Sequence, residues 1–278
     1  MRHGESTTTR KRIGLCLLAA LRYTKGSGSI RSLSAIIASG LCLGLLAVGC
    51  ASHQVASRDN AAQLALIKTQ PMVAPHPKRA NFEEENKSRD AQNVADWVVD
   101  SGDNSGMPFV IIDKVDARVF VFAADGRLRG AAAALLGLGR GDDSIPGIGN
   151  RKLSDIRPTE RTTPAGRFVA SLGYNFKGKD VLWVDYNDAL SLHRVIPVNP
   201  RLKSLATPTP LDNRMSFGCI NVPAKFYDTV VKPVFTGTRG IVYILPEVRS
   251  KKEIFASYYD IESRAEHAQQ QTSTSKQQ

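Results

Sequence analysis

Paired metal ligands, a cofactor loop and a long apolar span are all missing from this chain of 278 residues. It holds four cysteines and five histidines, but the strand-rich part keeps a single Cys and a single His, which cannot close a zinc site. No metal is therefore expected. Gly137-Leu138-Gly139-Arg140-Gly141 has the glycines of a phosphate loop. No helical pattern follows it and no acidic residue closes a βαβ unit, so a dinucleotide site is excluded and no cofactor is expected. The longest apolar run, residues 33–48, is shorter than the roughly 20 residues a membrane span needs. Aromatics make up 7% of the chain, and no basic stripe is interleaved with them, which argues against nucleic acid as a partner. No internal repeat is present.

The first segment explains much of the formal charge of +11. Arg2, Arg10, Lys11, Arg12, Arg22, Lys25 and Arg31 are opposed only by Glu5. A basic stretch followed by a short apolar run is the pattern of an export signal, which places a signal peptide over 1–49. Leu46-Ala47-Val48-Gly49-Cys50 resembles a lipobox. That resemblance implies that Cys50 is acylated, becomes the new N-terminus and anchors the protein to a membrane. In a diderm bacterium the alanine at position 51 would favour the outer membrane, facing the periplasm.

Removing that segment leaves little thiol chemistry. Cys16 and Cys42 depart with it, and Cys50 carries the lipid, so Cys219 stands alone in the folded part. Exported domains usually pair their cysteines or lack them. A single thiol there is either a buried apolar filler or a group in use. His3, His53, His76 and His267 lie in the signal or in polar segments, and His193 alone falls in the strand-rich region. A thiol nucleophile needs a base to become a thiolate. The folded part permits one Cys–His pair, although a core histidine satisfied by hydrogen bonds would fit the sequence equally.

Alternation and turn signals place a mainly β domain, with one or two short helices, over 107–246. Residues 109–114 and 118–124 are β-branched and aromatic, with Asp125-Gly126 as the turn into a third strand at 128–138. Further strands are expected at 168–172, 181–186, 190–195 and 240–245. Pro223 opens a helix reaching about Val231. Long loops cover 139–163 and 196–216, and long loops on a rigid sheet are where active sites tend to sit. Flexible extensions flank the domain: a polar linker at 50–106, with a short helix within 82–99, and a charged, disordered tail at 247–278.

Ser216-Phe217-Gly218-Cys219-Ile220-Asn221 is the chemically informative run. Gly218 allows close approach of backbone to a substrate. Cys219 just ahead of a helix would gain thiolate stability from the helix dipole, and N–H groups of Gly218 and Cys219 would form an oxyanion hole. The run resembles the signature of the L,D-transpeptidases, Ser-His-Gly-Cys followed by an aliphatic residue and Arg or Asn. Thr163-Pro164-Ala165-Gly166-Arg167-Phe168 resembles the same family's Thr-Pro-x-Gly-x-Phe turn. The element holding His193 resembles its upstream catalytic strand end. Phe217 stands where a second histidine is usual, and Arg194 where a small residue is usual.

The resemblance implies a β-sandwich enzyme of the bacterial cell wall with Cys219 as nucleophile and His193 as base. The Arg194 carbonyl would orient the imidazole, and Ser216, Asn221 and Arg214 are candidates for holding a peptidoglycan stem peptide. The acyl group would pass to an amine, giving a crosslink, or to water, giving carboxypeptidase activity. An inactive lipoprotein that binds the wall is the reading from a different class.

Overall fold

The computed structural model describes residues 77–264 and Glu266. The expected signal segment, the lipidation site Cys50 and the last stretch of the tail lie outside the described residues.

The chain folds around one eight-stranded, mostly antiparallel sheet in the order β3-β2-β1-β10-β5-β6-β7-β9. Its strands are β1 (Phe109–Asp113), β2 (Arg118–Phe122), β3 (Leu128–Ala133), β5 (Gly166–Tyr174), β6 (Asp180–Asp185), β7 (Leu190–Arg194), β9 (Ile220–Val222) and β10 (Arg239–Ile244). A two-stranded sheet pairs β4 (Leu136–Gly137) with β8 (Arg214–Ser216). The fold is mainly β, as the alternation indicates. The Asp125-Gly126 turn closes the β2–β3 hairpin with Gly126 at φ 85°, a left-handed conformation that glycine adopts without steric cost.

Strand periodicity divides the apolar residues between two faces. Val110, Ile112, Val119, Val121, Val242 and Ile244 point into one core with Leu192, Ile220, Tyr227 and Phe235. Phe109, Ile111, Phe120, Phe122, Ile241 and Tyr243 point into the other. Strand β1 is buried along its whole length because both its faces are covered.

The second core extends the folded body beyond the expected 107–246 at both ends. Helix α1 (Arg89–Ser101) is capped by the Ser88 hydroxyl and ends at left-handed Gly102. It buries Ala91, Val94, Ala95, Trp97 and Val98 against the outer face of β1 and β10. The segment after 247 returns to the same place. A capping box from Ser250 and Glu253 starts the short helix Lys251–Ile254, after which Phe255, Tyr258 and Ile261 are buried. Trp97 stacks on Phe255 at 5.8 Å between centroids, meets Tyr258 edge-on at 5.7 Å and donates from Nε1 to the Ser257 carbonyl at 3.1 Å. Each such buried side chain contributes roughly 1.5–3 kcal/mol. The expected tail is thus packed against the body through Ile261.

The two long loops also hold structure. The 196–216 stretch contains α2 (Asn199–Ala206), with Pro200 in its first turn, and β8. The 139–163 stretch folds into three 3₁₀ turns, Ile148–Asn150, Leu153–Asp155 and Pro158–Glu160.

Candidate functional site

Two parallel strands bring the thiol and the imidazole together. Strands β7 and β9 pair with Leu192 opposite Ile220, His193 opposite Asn221 and Arg194 opposite Val222. With a side-chain period of two, Ser191 and His193 share a face, and that register sets Cys219 beside Ser191. The Ser191 Oγ lies 3.6 Å from the Cys219 Sγ. His193 Nδ1–H donates to the Arg194 carbonyl at 2.8 Å, which leaves Nε2 free, and the imidazole and the thiol lie near enough for each to shift the other's titration. The same sulfur lies 3.4 Å from the Ala189 carbonyl.

Each member of the pair shifts the other. Burial alone would depress His193, but its interaction with Cys219, helped by the Arg194 carbonyl, raises it above its ordinary value. Burial pushes the Cys219 thiol up, yet His193 and then Ser191 bring it below the usual thiol range. These are the shifts of an incipient thiolate–imidazolium pair.

Cys219 leads into β9, and the helical stretch begins only at Ala224. The expected help from a helix dipole is therefore corrected: the field falls off within a turn, and His193 performs that role. Turn geometry corrects the oxyanion expectation in part. Gly218 N–H is occupied by the Ser216 Oγ at 3.1 Å, whereas Cys219 N–H makes no hydrogen bond among the described residues. Gly218 sits at φ 126°, and a Cβ there would meet the Thr162 carbonyl at 2.7 Å, so glycine is needed for both reasons.

The three expected substrate-holding residues face inward. Ser216 Oγ donates to the Cys219 carbonyl at 2.7 Å. Asn221 Nδ2 donates to the same oxygen at 3.0 Å, and its Oδ1 accepts from Arg201 of α2 at 3.0 Å. Both are buried and fix the backbone behind the thiol. Arg214 is paired with buried Glu247, from Nη2 to Oε2 at 2.5 Å, and donates to the Lys114 carbonyl at 2.9 Å. It belongs to a structural network, and the side chains of all three are engaged by the protein itself. Arg194 keeps its expected carbonyl contact. Its guanidinium turns to the opposite face, pairing with Asp180 at 3.0 Å and Asp228 at 2.5 Å.

Residues 139–163 form a cap over the thiol. A Cβ on Gly149 would lie 2.1 Å from the Asn187 carbonyl oxygen, so the cap crosses the β6–β7 turn in direct contact. Glu160 braces it internally: hydrogen bonds from Arg157, then Arg151, then the Arg157 N–H hold its carboxyl at about 2. Arg161 donates to the Ile156 carbonyl at 3.1 Å and lies 4.0 Å above the Phe217 ring. Phe217 thus ties the cap to the nucleophile turn. Between cap and turn lies a cleft of about 110 Å³, lined by Ile148, Leu153, Asp188, Phe217 and Cys219 among others.

Thr163 pins cap to turn. Its Oγ1 donates to the Gly218 carbonyl at 2.7 Å and accepts from Gly137 N–H at 2.8 Å, with the side chain fully buried. A Pro-Gly turn accounts for the rest of its motif but not for this hydroxyl. The isosteric Thr163→Val leaves both backbone groups unpaired and is expected to cost about 1–3 kcal/mol. Denaturant unfolding would measure it, and an unchanged midpoint would refute the pin.

Ser191 and Asp188 are site residues that motif reading misses. Ser191 had a visible signal, because Leu190-Ser191-Leu192-His193 alternates apolar and polar along one strand.

No family model and no curated protein matches the chain. Among solved structures, it is similar to the catalytic domain of the Enterococcus faecium L,D-transpeptidase, at 17% identity and TM-score 0.27, over 50% of this chain and 96% of that one. It is also similar to the Campylobacter jejuni helical cell shape determining protein, at 19% identity and TM-score 0.32, over 53% of this chain and 51% of that chain. A Mycobacterium smegmatis L,D-transpeptidase matches at 15% identity and TM-score 0.28, over 50% of this chain and 58% of that one. The chain spans about half the length of the Campylobacter protein.

Proposed function

We propose that this chain is a cysteine acyltransferase of the cell wall, an L,D-transpeptidase acting on peptidoglycan stem peptides. The observation that carries the reading is His193, fixed through Nδ1 by the Arg194 carbonyl and electrostatically coupled to a thiol that opens into a cleft. A core histidine paired with a filler cysteine would not need that cleft. We further propose export and membrane attachment through acylated Cys50, with the catalytic body facing the periplasm.

The reaction follows from the groups present. His193 Nε2 takes the thiol proton as the Cys219 sulfur attacks the carbonyl of a diamino-acid residue that precedes a terminal D-alanine. The Cys219 N–H donates to the oxyanion. Collapse breaks the C–N bond, and His193 returns its proton to the leaving D-alanine nitrogen. A thioester remains. An acceptor amine, deprotonated by His193, then attacks it, forming an amide and releasing the thiolate, which regains its proton. Water in place of the amine gives hydrolysis.

Intact mass spectrometry of the full-length chain with a tetrapeptide stem tests this. The wild type is expected to gain one acyl group and release D-alanine, while Cys219→Ala gains nothing. A crosslinked product on adding an amine acceptor marks transfer, and free tripeptide marks a hydrolase. No adduct on a folded protein with a reduced thiol would overturn the enzyme reading in favour of a wall-binding lipoprotein.

A further inference from the structure

The Cys219 sulfur lies between two oxygens of opposite hydrogen-bonding sense. Its S–H donates to the Ala189 carbonyl at 3.4 Å, an oxygen that can only accept. Ala189 holds that carbonyl in place with a left-handed backbone, φ 53°, a conformation that is strained for a residue with a side chain and gathers at functional sites. Gly149 of the cap packs against the Asn187 carbonyl and the Ala189 nitrogen, so the turn is braced from above. On the other side of the sulfur stands the Ser191 hydroxyl, 3.6 Å away, which can donate.

No backbone group uses the Ser191 hydroxyl. The residue is 5% exposed, and the Cys219 sulfur is the only hydrogen-bonding partner of its Oγ among the described residues. A buried hydroxyl without a partner is destabilising. With the S–H turned to Ala189, the Ser191 O–H is the donor and the sulfur the acceptor. Forming the thiolate changes the two contacts in opposite directions. The Ala189 carbonyl loses its donor and faces a negative sulfur, whereas the Ser191 contact becomes charge-assisted and strengthens.

We propose that Ser191 is a further catalytic residue whose hydroxyl donates to the Cys219 sulfur whenever that sulfur carries charge, as it attacks the acyl donor and again as it departs from the thioester. No bond forms to the Ser191 oxygen, and its proton stays in place throughout. The two catalytic steps rest on the acyl-transfer reading above; the contact itself does not.

A neutral disulfide tests the contact without any substrate. The Cys219 thiolate attacks one sulfur of bis(2-hydroxyethyl) disulfide, forming a mixed disulfide and releasing 2-mercaptoethanol as its thiolate. The rate is read against pH on the tryptic peptide running from position 215 to 225, which contains Cys219 and no other cysteine. Ser191→Ala removes the hydroxyl and keeps the backbone N–H. The charged or titratable groups around the thiol are left unchanged: His193 on β7, Asp188 on the β6–β7 turn and Arg151 of the cap with its Glu160 partner, Arg161 over Phe217, and Arg201 of α2 behind Asn221. Losing a hydrogen bond to a charged group shrinks the thiolate population about tenfold below the wild-type midpoint. A more basic thiolate is also a better nucleophile, which recovers about half of that loss on a logarithmic scale. Ser191→Ala is therefore expected to exchange about threefold slower than wild type below the midpoint and about threefold faster on the alkaline plateau, so that the two profiles cross. Ser191→Thr keeps the hydroxyl and is expected to follow wild type. Coincident profiles overturn the proposal. So does a Ser191→Ala profile that is lower at every pH, which would mark lost packing alone. In the second arm, a tetrapeptide stem is expected to acylate Ser191→Ala about threefold more slowly than wild type or Ser191→Thr, and the thioester to discharge to an amine more slowly because the sulfur is a poorer leaving group. Equal rates for both steps in all three proteins refute the catalytic role while keeping the enzyme. Crossing profiles with no adduct on the wild type refute the transferase and, with it, the two steps assigned to Ser191.

Discussion

Replacing His193 by alanine is expected to slow acylation of Cys219 by about 10²–10⁴-fold and to move the thiol's reactivity to higher pH. The direction follows from the opposing effects at this site. Burial alone raises Cys219, and His193 is the main group bringing it down. Without the imidazole, burial prevails and the thiolate forms only at alkaline pH. Iodoacetamide reacts with thiolate, so its rate against pH on the peptide containing Cys219 reads the shift directly. The wild type should react well below the usual thiol range, and His193→Ala should not. Acylation by a stem peptide needs both halves of the pair. Its rate should rise as pH passes the depressed Cys219 value. It should fall as pH passes the raised His193 value, because the proton for the leaving nitrogen is then lost. The pair therefore widens the active window at both ends. An unshifted iodoacetamide profile in His193→Ala would mean an unassisted thiol and would remove the basis for the mechanism.

That pair was legible in the sequence because elimination leaves one thiol and one imidazole in the folded part. Its geometry was not, since the parallel β7–β9 register that places Ser191, His193 and Cys219 on one face joins strands from distant parts of the chain. Ser216, Asn221 and Arg214 show the limit of motif reading. A polar residue beside a nucleophile can face substrate or its own backbone, and composition does not distinguish the two. Here the Cys219 carbonyl claims both Ser216 and Asn221. Helix α2 and the packed segment after 250 had usable signals. Pro200 sits where a first-turn proline belongs, and Ile254, Tyr258 and Ile261 recur at helical spacing amid charges. Strands in β-branched runs are legible in the sequence, because burial on alternating faces is written locally in each strand.

The cap depends on a part of the fold with no local signature at all, and there the largest stability effect is expected. Lys114, at the end of β1, is fully buried. Its Nζ donates to the Gly141 carbonyl at 2.6 Å, to Asp142 Oδ1 at 2.7 Å and to the Thr163 carbonyl at 3.0 Å. Asp142 in turn accepts the N–H groups of Glu247, Val248 and Arg249. One ion pair thus joins the first strand, both ends of the cap and the exit from β10. Asp142→Asn strips Lys114 of its nearest anion and presents an amide to backbone donors. It is expected to cost about 3 kcal/mol in denaturant unfolding, the low end of the usual loss when a buried pair keeps one charge, because Glu247 Oε1 still lies 3.7 Å from the Lys114 Nζ. Lys114→Met should cost less, since Asp142 retains three backbone donors. The acid dependence gives a second signature. Burial pushes the Asp142 carboxyl up, but the Arg249 N–H, Lys114 and the N–H groups of Glu247 and Val248 bring it to about 2. A depressed carboxylate contributes fully above its unfolded value, near 4, and its contribution is lost as pH falls through the folded one. The stability gap between wild type and Asp142→Asn should therefore hold from neutral pH to about 4 and close as pH falls through about 2. A gap that is small at pH 7, or one that stays constant into acid, would mean that this buried pair does not hold the cap over Cys219.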